Sequence, residues 1–165
     1  MYTDSYSYYD PTTAALLSML MAYLVVLLII GIVIYIFSSI SLYTMAKRRG
    51  MNRPWLAWIP IANSYLMGKL VNEKVVFGSW VIPYAHVLLP VLPLVCGLLS
   101  RIPYIGWLFL IVSLVYSYVA IYRLYRLYKP QNAVLYLVLS IIFIITQPFF
   151  MFSMRNNEAE EYLAE

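Results

Sequence analysis

The sequence predicts an all-α, polytopic helical membrane protein with four transmembrane helices and one interfacial or re-entrant helix. Three observations carry that prediction. The chain is 64% hydrophobic and only 11% charged over 165 residues; its apolar residues fall in runs of spanning length; and its bases gather at the ends of those runs. Mean hydropathy is +0.80. A soluble domain carries about a quarter of its residues as charges, so a water-facing coat cannot be assembled from this composition. One membrane domain covering 1–165 accounts for the whole chain.

The elements follow in order. Met1 to Asp10 contains two acids and no base, unlike the basic start of a cleavable secretory signal, so the first apolar run is expected to stay as an anchor. Residues 1–13 form an extracytoplasmic tail in which Asp10 caps and Pro11 starts the first helix. Span 14–46 is free of charge and ends at Lys47, Arg48 and Arg49. A crossing needs about 20 residues at roughly 1.5 Å each, so this helix has length to spare.

Segment 54–70 is apolar but short, and Pro60 and Asn63 interrupt it. Arg53 and Lys69 flank it, which puts both ends on one side. Trp55, Trp58, Ala62, Tyr65 and Lys69 recur at helical spacing, with the tryptophans as interfacial anchors. The segment reads as a helix lying on the interface or dipping into it.

The second span, 79–99, contains Pro83, Pro90 and Pro93. Each proline frees the carbonyl four residues earlier, so a kinked or broken helix is expected. The third span is 104–122, followed by a basic, tyrosine-rich exit in which Arg123 and Arg126 snorkel as interfacial anchors. The fourth is 133–152, and 153–165 is a second extracytoplasmic tail. Four crossings from an outside N-terminus put nine bases inside, from Lys47 to Lys129, and leave Arg101 and Arg155 outside. That asymmetry orients the chain. A fifth crossing at 54–70 would move the Arg123 cluster outside.

The stretch Met45 to Leu70 resembles a segment found in largely uncharacterised small multi-span membrane proteins of Gram-positive bacteria. A base and a glycine precede a tryptophan, then an Ile-Pro, an Asn and an aromatic: here Arg49, Gly50, Trp55, Ile59, Pro60, Asn63 and Tyr65. The resemblance covers about a sixth of the chain and implies the bacterial cytoplasmic membrane.

Candidate site residues are few. His86, the only histidine, falls near the middle of the second span: it is a proton relay, a metal or haem ligand or a ligand contact, or else a neutral imidazole bonding a carbonyl freed by a proline. Asn63, Gln147 and Pro90 line a candidate ligand site or pathway, since broken helices expose backbone dipoles within the membrane; the bland alternative is prolines serving packing alone. Tyr2, Tyr6, Tyr8 and Tyr9 form a candidate contact surface for another protein. Ser113 with Ser117, and Ala15, Ser18 and Ala22, are small-residue stripes that permit close helix approach.

Other classes are disfavoured. No acid lies within any span, no glycine-rich phosphate loop is present, and a lone Cys96 with a lone histidine cannot close a metal site. The bases track the spans instead of forming one face, so no nucleic-acid partner is expected. No cofactor is expected, and no catalysis. The expectation is a small plasma-membrane protein whose partners are the bilayer and another membrane protein or a second copy of itself. It would serve as a non-catalytic accessory or structural subunit of a larger complex, or alternatively as a homo-oligomeric channel or carrier for a small solute or lipid.

Overall fold

A computed structural model describes residues 11–77 and 80–160. Among these residues it contains six α-helices and one two-stranded hairpin. The chain divides into two compact units within its first helix, Met1–Tyr35 and Ile36–Glu165.

Helix α1 runs from Pro11 to Arg48, and its extent follows from the sequence. Pro11 can start a helix because its missing N–H falls among the groups that no helical bond satisfies. In the first unit every residue from 11 to 33 is exposed. Leucine, isoleucine and valine cover the whole circumference there, so no face is polar. Such a helix suits lipid on all sides.

The C-terminus of α1 belongs to the second unit. Gly50 ends the helix with φ 67°. Its N–H donates to the Lys47 carbonyl at 3.1 Å, and that of Met51 donates to Ala46 at 3.1 Å. This double closure needs a left-handed residue after the helix, which glycine adopts without a Cβ clash.

A 3-10 turn, Pro54–Trp58, then leads into α2, Pro60–Leu70. The single helical segment expected over 54–70 is thus two pieces joined at Ile59, whose extended backbone (φ −101°, ψ 122°) precedes a proline that disfavours the α region. Asn72 and Glu73, both at positive φ, turn the chain into strands β1 (Lys74–Phe77) and β2 (Trp80–Pro83). The strands pair antiparallel, with Lys74 opposite Pro83 and Phe77 opposite Trp80.

Here the structure departs from the expected helical span 79–99. Val75, Val76, Phe77, Trp80, Val81 and Ile82 flank a two-residue Gly-Ser connection, and β-branched and aromatic residues around such a connection favour a hairpin. Helix α3 therefore starts only at Ala85 and ends at Leu99, with Pro90 and Pro93 inside it. Fifteen residues reach roughly 22 Å.

Helix α4, Gly106–Tyr128, incorporates the basic exit that was expected to follow the third span. After a 3-10 turn at Pro130–Asn132, the expected fourth span is broken in two: α5, Ala133–Ile142, and α6, Thr146–Met154. Pro148 supplies the reason. It has no N–H for the Ile144 carbonyl, and its ring would strike that carbonyl in a continuous helix.

The two pieces fold back on each other. Thr146 Oγ1 donates to the Leu139 carbonyl at 3.2 Å, and the rings of Tyr136 and Phe150 stack at 4.3 Å with planes 4° apart. In one straight helix those rings would sit about 21 Å apart along the axis. The pairings 139 with 146 and 136 with 150 are those of an antiparallel helical hairpin.

Beyond α6, the Asn157 amide donates to the Tyr128 carbonyl at 3.1 Å and the Glu160 N–H donates to Leu127 at 2.8 Å. Residues 157–160 therefore lie at the C-terminal end of α4, beside Lys129, and not at the opposite end as a fourth crossing requires.

Two helices, Pro11–Arg48 and Gly106–Tyr128, are long and apolar enough to cross a membrane. The core of the second unit draws on α1, α2, α3, α4 and α6, with α3 packed against both α2 and α4; its fully buried side chains include Leu42, Met45, Leu66, Leu70, Tyr125 and Met151.

Candidate functional site

Asn63 stands in the first turn of α2 and Gln147 in the first turn of α6. Separated by 84 positions, they line one cleft of about 330 Å³. Ser38 from α1, Ser64 from α2, and Ser117 and Tyr118 from α4 add hydroxyls to its lining. Leu42, Met67, Leu89, Pro93, Ile121 and Met151 supply the apolar walls.

The two amides are the chemically distinctive groups. Each offers two N–H donors and a carbonyl acceptor, and neither side chain bonds to another group among the described residues. The Ser117 hydroxyl, by contrast, is engaged, donating to the Ser113 carbonyl at 2.8 Å. An unbonded amide in an apolar surrounding costs free energy unless water or a ligand meets it. The arrangement can thus accept a small molecule with both donors and acceptors, or a short file of waters.

The broken helices explain how the amides come together. Asn63 follows the Ile59–Pro60 break and Gln147 precedes Pro148, so each sits where a helix starts inside the fold. Pro90 is half-buried on α3, but the residues of that helix that line the cleft are Leu89 and Pro93.

His86 lies elsewhere. It is the second residue of α3, not the middle of a span, because the hairpin displaced the helix start. Its Nδ1 is 3.6 Å from a Glu73 carboxylate oxygen, and its ring meets Tyr65 edge-on at 5.5 Å. It is not among the residues that line the cleft, and the partner facing its Nδ1 is a side-chain carboxylate instead of a freed carbonyl.

The remaining candidates divide. Trp55 and Trp58 are exposed, at 54% and 47%. Arg126 is exposed, whereas Arg123 is buried, with 9% of its surface exposed. Ala15, Ser18 and Ala22 are exposed and Ser113 is buried. Tyr2, Tyr6, Tyr8 and Tyr9 lie outside the described residues.

Sequence reasoning missed Ser38 and assigned Ser117 to helix packing alone. Three serines within four positions of an uncharged run, Ser38, Ser39 and Ser41, were the available signal. No family model, curated protein or solved structure matches the chain.

Proposed function

We propose that the protein is a multi-pass component of a bacterial cytoplasmic membrane that acts without catalysis, as an accessory or structural subunit of a larger membrane complex. The observation that supports this is the surface of α1, exposed and apolar on every side from 11 to 33. Ala15, Ser18 and Ala22 form a small-residue stripe on it, against which another helix can approach closely. Purification from native membrane in a mild detergent, with mass spectrometry of what accompanies the chain, tests this reading. A stoichiometric membrane partner is expected; a stable lone monomer would end it.

The topology we infer has three crossings, α1, α3 and α4, with an extracytoplasmic N-terminus and a cytoplasmic C-terminus. Segments 54–70 and 133–154 enter and leave on the cytoplasmic side. In favour of this, residues 157–160 bond to the end of α4, which moves Arg155 inside and leaves Arg101 as the one outer base out of 11. That strengthens the positive-inside asymmetry. Asn63 and Ser64 line the same cleft as Ser38, about ten residues, or 15 Å, up α1 from Arg48, which favours the re-entrant over the interfacial reading of 54–70.

A second reading, a carrier or channel for a small solute or lipid acting as an oligomer, is favoured by the convergence of Asn63 and Gln147. Irregular backbone at membrane depth is tolerated where it is buried in protein or lines a cavity. Liposome flux unchanged by Asn63→Ala and Gln147→Ala would remove it.

A further inference from the structure

The end of α1 and the 54–70 segment enclose a second cleft, of about 760 Å³, that the polar cleft does not involve. Three bases line it, Arg49, Arg53 and Lys69, and no carboxylate does. Each reaches it from a different piece of backbone: the end of α1, the loop before the 3-10 turn, and the last turn of α2. Arg49 is held by hydrogen bonds to the Leu70 carbonyl at 2.6 Å and to the Asn72 side-chain oxygen at 2.8 Å. The Lys69 ammonium stands over the Tyr65 ring at 5.3 Å. Cations fixed in this way lose little further freedom on meeting an anion.

The rest of the lining has a different character. Met51, Leu56, Ala62 and Leu66 are apolar, and Leu66 is buried. A cleft lined by three cations together with apolar side chains matches an amphiphile with an anionic head. Phosphate is the anion that suits it: an arginine fork bonds two phosphate oxygens at once, a lysine adds a point charge, and the Tyr65 hydroxyl can donate a neutral bond.

We propose that this cleft binds a phosphate-bearing anion, presented either as the headgroup of an anionic phospholipid or as free phosphate. Its position at the headgroup level rests on the topology inferred above; its chemistry does not. Basic recesses beside the cytoplasmic ends of membrane helices are suited to such headgroups.

The test uses the full chain in nanodiscs, with thermal unfolding as the readout. Wild type is compared in phosphatidylcholine alone, in phosphatidylcholine with 30% phosphatidylglycerol, and in phosphatidylcholine with millimolar inorganic phosphate. Arg53→Gln/Lys69→Gln is compared with Lys47→Gln/Arg48→Gln, which removes the same charge from exposed positions outside the cleft. If the headgroup is the ligand, phosphatidylglycerol raises the melting temperature of wild type and of the Lys47/Arg48 variant. The Arg53/Lys69 variant loses that rise, its affinity for the anionic lipid falling roughly tenfold to thirtyfold. If free phosphate is the ligand, the same pattern appears in the phosphate arm and not in the lipid arm. Equal loss in both variants, or no shift in either arm, overturns the proposal. A lower melting point of the Arg53/Lys69 variant in phosphatidylcholine alone would report misfolding, and lipid retained in native mass spectrometry then decides.

Discussion

A methyl group placed on Gly68 of α2 would fall 2.6 Å from the carbonyl carbon of Ala85 at the start of α3. Nothing flexible lies in between: the atoms met are backbone. The two helices approach as closely as they do because Gly68 has no side chain. The Ala85 N–H is tied to the Glu73 carbonyl at 2.9 Å, which fixes the start of α3 against the turn that follows α2.

Gly68→Ala should therefore destabilise the fold by about 1–3 kcal/mol, the range for overpacking a close interface. Gly97, also helical, has open space around it, with nothing within 4 Å of the point a methyl would occupy. Gly97→Ala should be neutral or raise stability by up to about 1 kcal/mol through helix propensity. Thermal unfolding of both in detergent checks the contrast, and equal effects would refute it.

Tyr125 and Ser140 are both fully buried, and their hydroxyls lie 2.9 Å apart. The pair joins α4 to α5 just where the Tyr136 and Phe150 rings stack, and the Tyr125 ring meets Tyr136 edge-on at 5.7 Å. Tyr125→Phe keeps the ring contacts and removes only the bond, so a loss of about 1–2 kcal/mol is expected. A double-mutant cycle with Ser140→Ala should return a coupling of about 1 kcal/mol. Additive losses would mean that the hydroxyls act separately.

The limits of α1 are legible in the sequence because Pro11, the uncharged run and Lys47 to Gly50 are local signals. Pro60 is visible in the same way as an interruption of 54–70, although the segment still reads as one helix. The hairpin at 74–83 also has a local pattern, but its high apolar density reads equally as part of a span and hides the strand residues around Gly78 and Ser79. The return of α6 along α5 is not legible. A proline in an apolar run reports a break but not its angle, and the angle is set here by the Tyr136–Phe150 stack and the packing of Tyr125. Asn63 and Gln147 are each recognisable as costly amides, but they stand 84 positions apart and their meeting depends on two separate helix breaks.

That folded-back hairpin makes a prediction about sidedness. In a Cys96→Ala background, a membrane-impermeant maleimide applied to intact cells should label Ile102→Cys, exposed in the turn between α3 and α4, but not Asn156→Cys, exposed beyond α6. Lysis should make Asn156→Cys reactive. Labelling of Asn156→Cys in intact cells would restore a fourth crossing and an outer C-terminus.

Depth of the 54–70 segment is testable in the same background. Ala57 is fully buried against its own chain, so a cysteine there would stay silent whichever way the segment lies. Ile61 is 60% exposed next to Pro60 and reports its surroundings instead. If the segment dips, Ile61→Cys should resist a water-soluble maleimide even in inside-out vesicles while Asn52→Cys reacts. Equal reactivity would put the segment on the surface.

The amides of the polar cleft give the sharpest separation between a structural and a binding role. A structural amide is bonded to its own chain, and its removal strands a partner at a cost of about 1–3 kcal/mol. Asn63 and Gln147 bond to no described side chain or backbone group through their amides, so Asn63→Ala and Gln147→Ala should each change stability by less than about 0.5 kcal/mol. Together they should be additive in unfolding, because no interaction links them. Any solute flux or ligand-induced stabilisation should nevertheless fall in both. A loss of stability of about 2 kcal/mol or more in either variant would make the cleft a packing feature, its amides held by waters that belong to the fold.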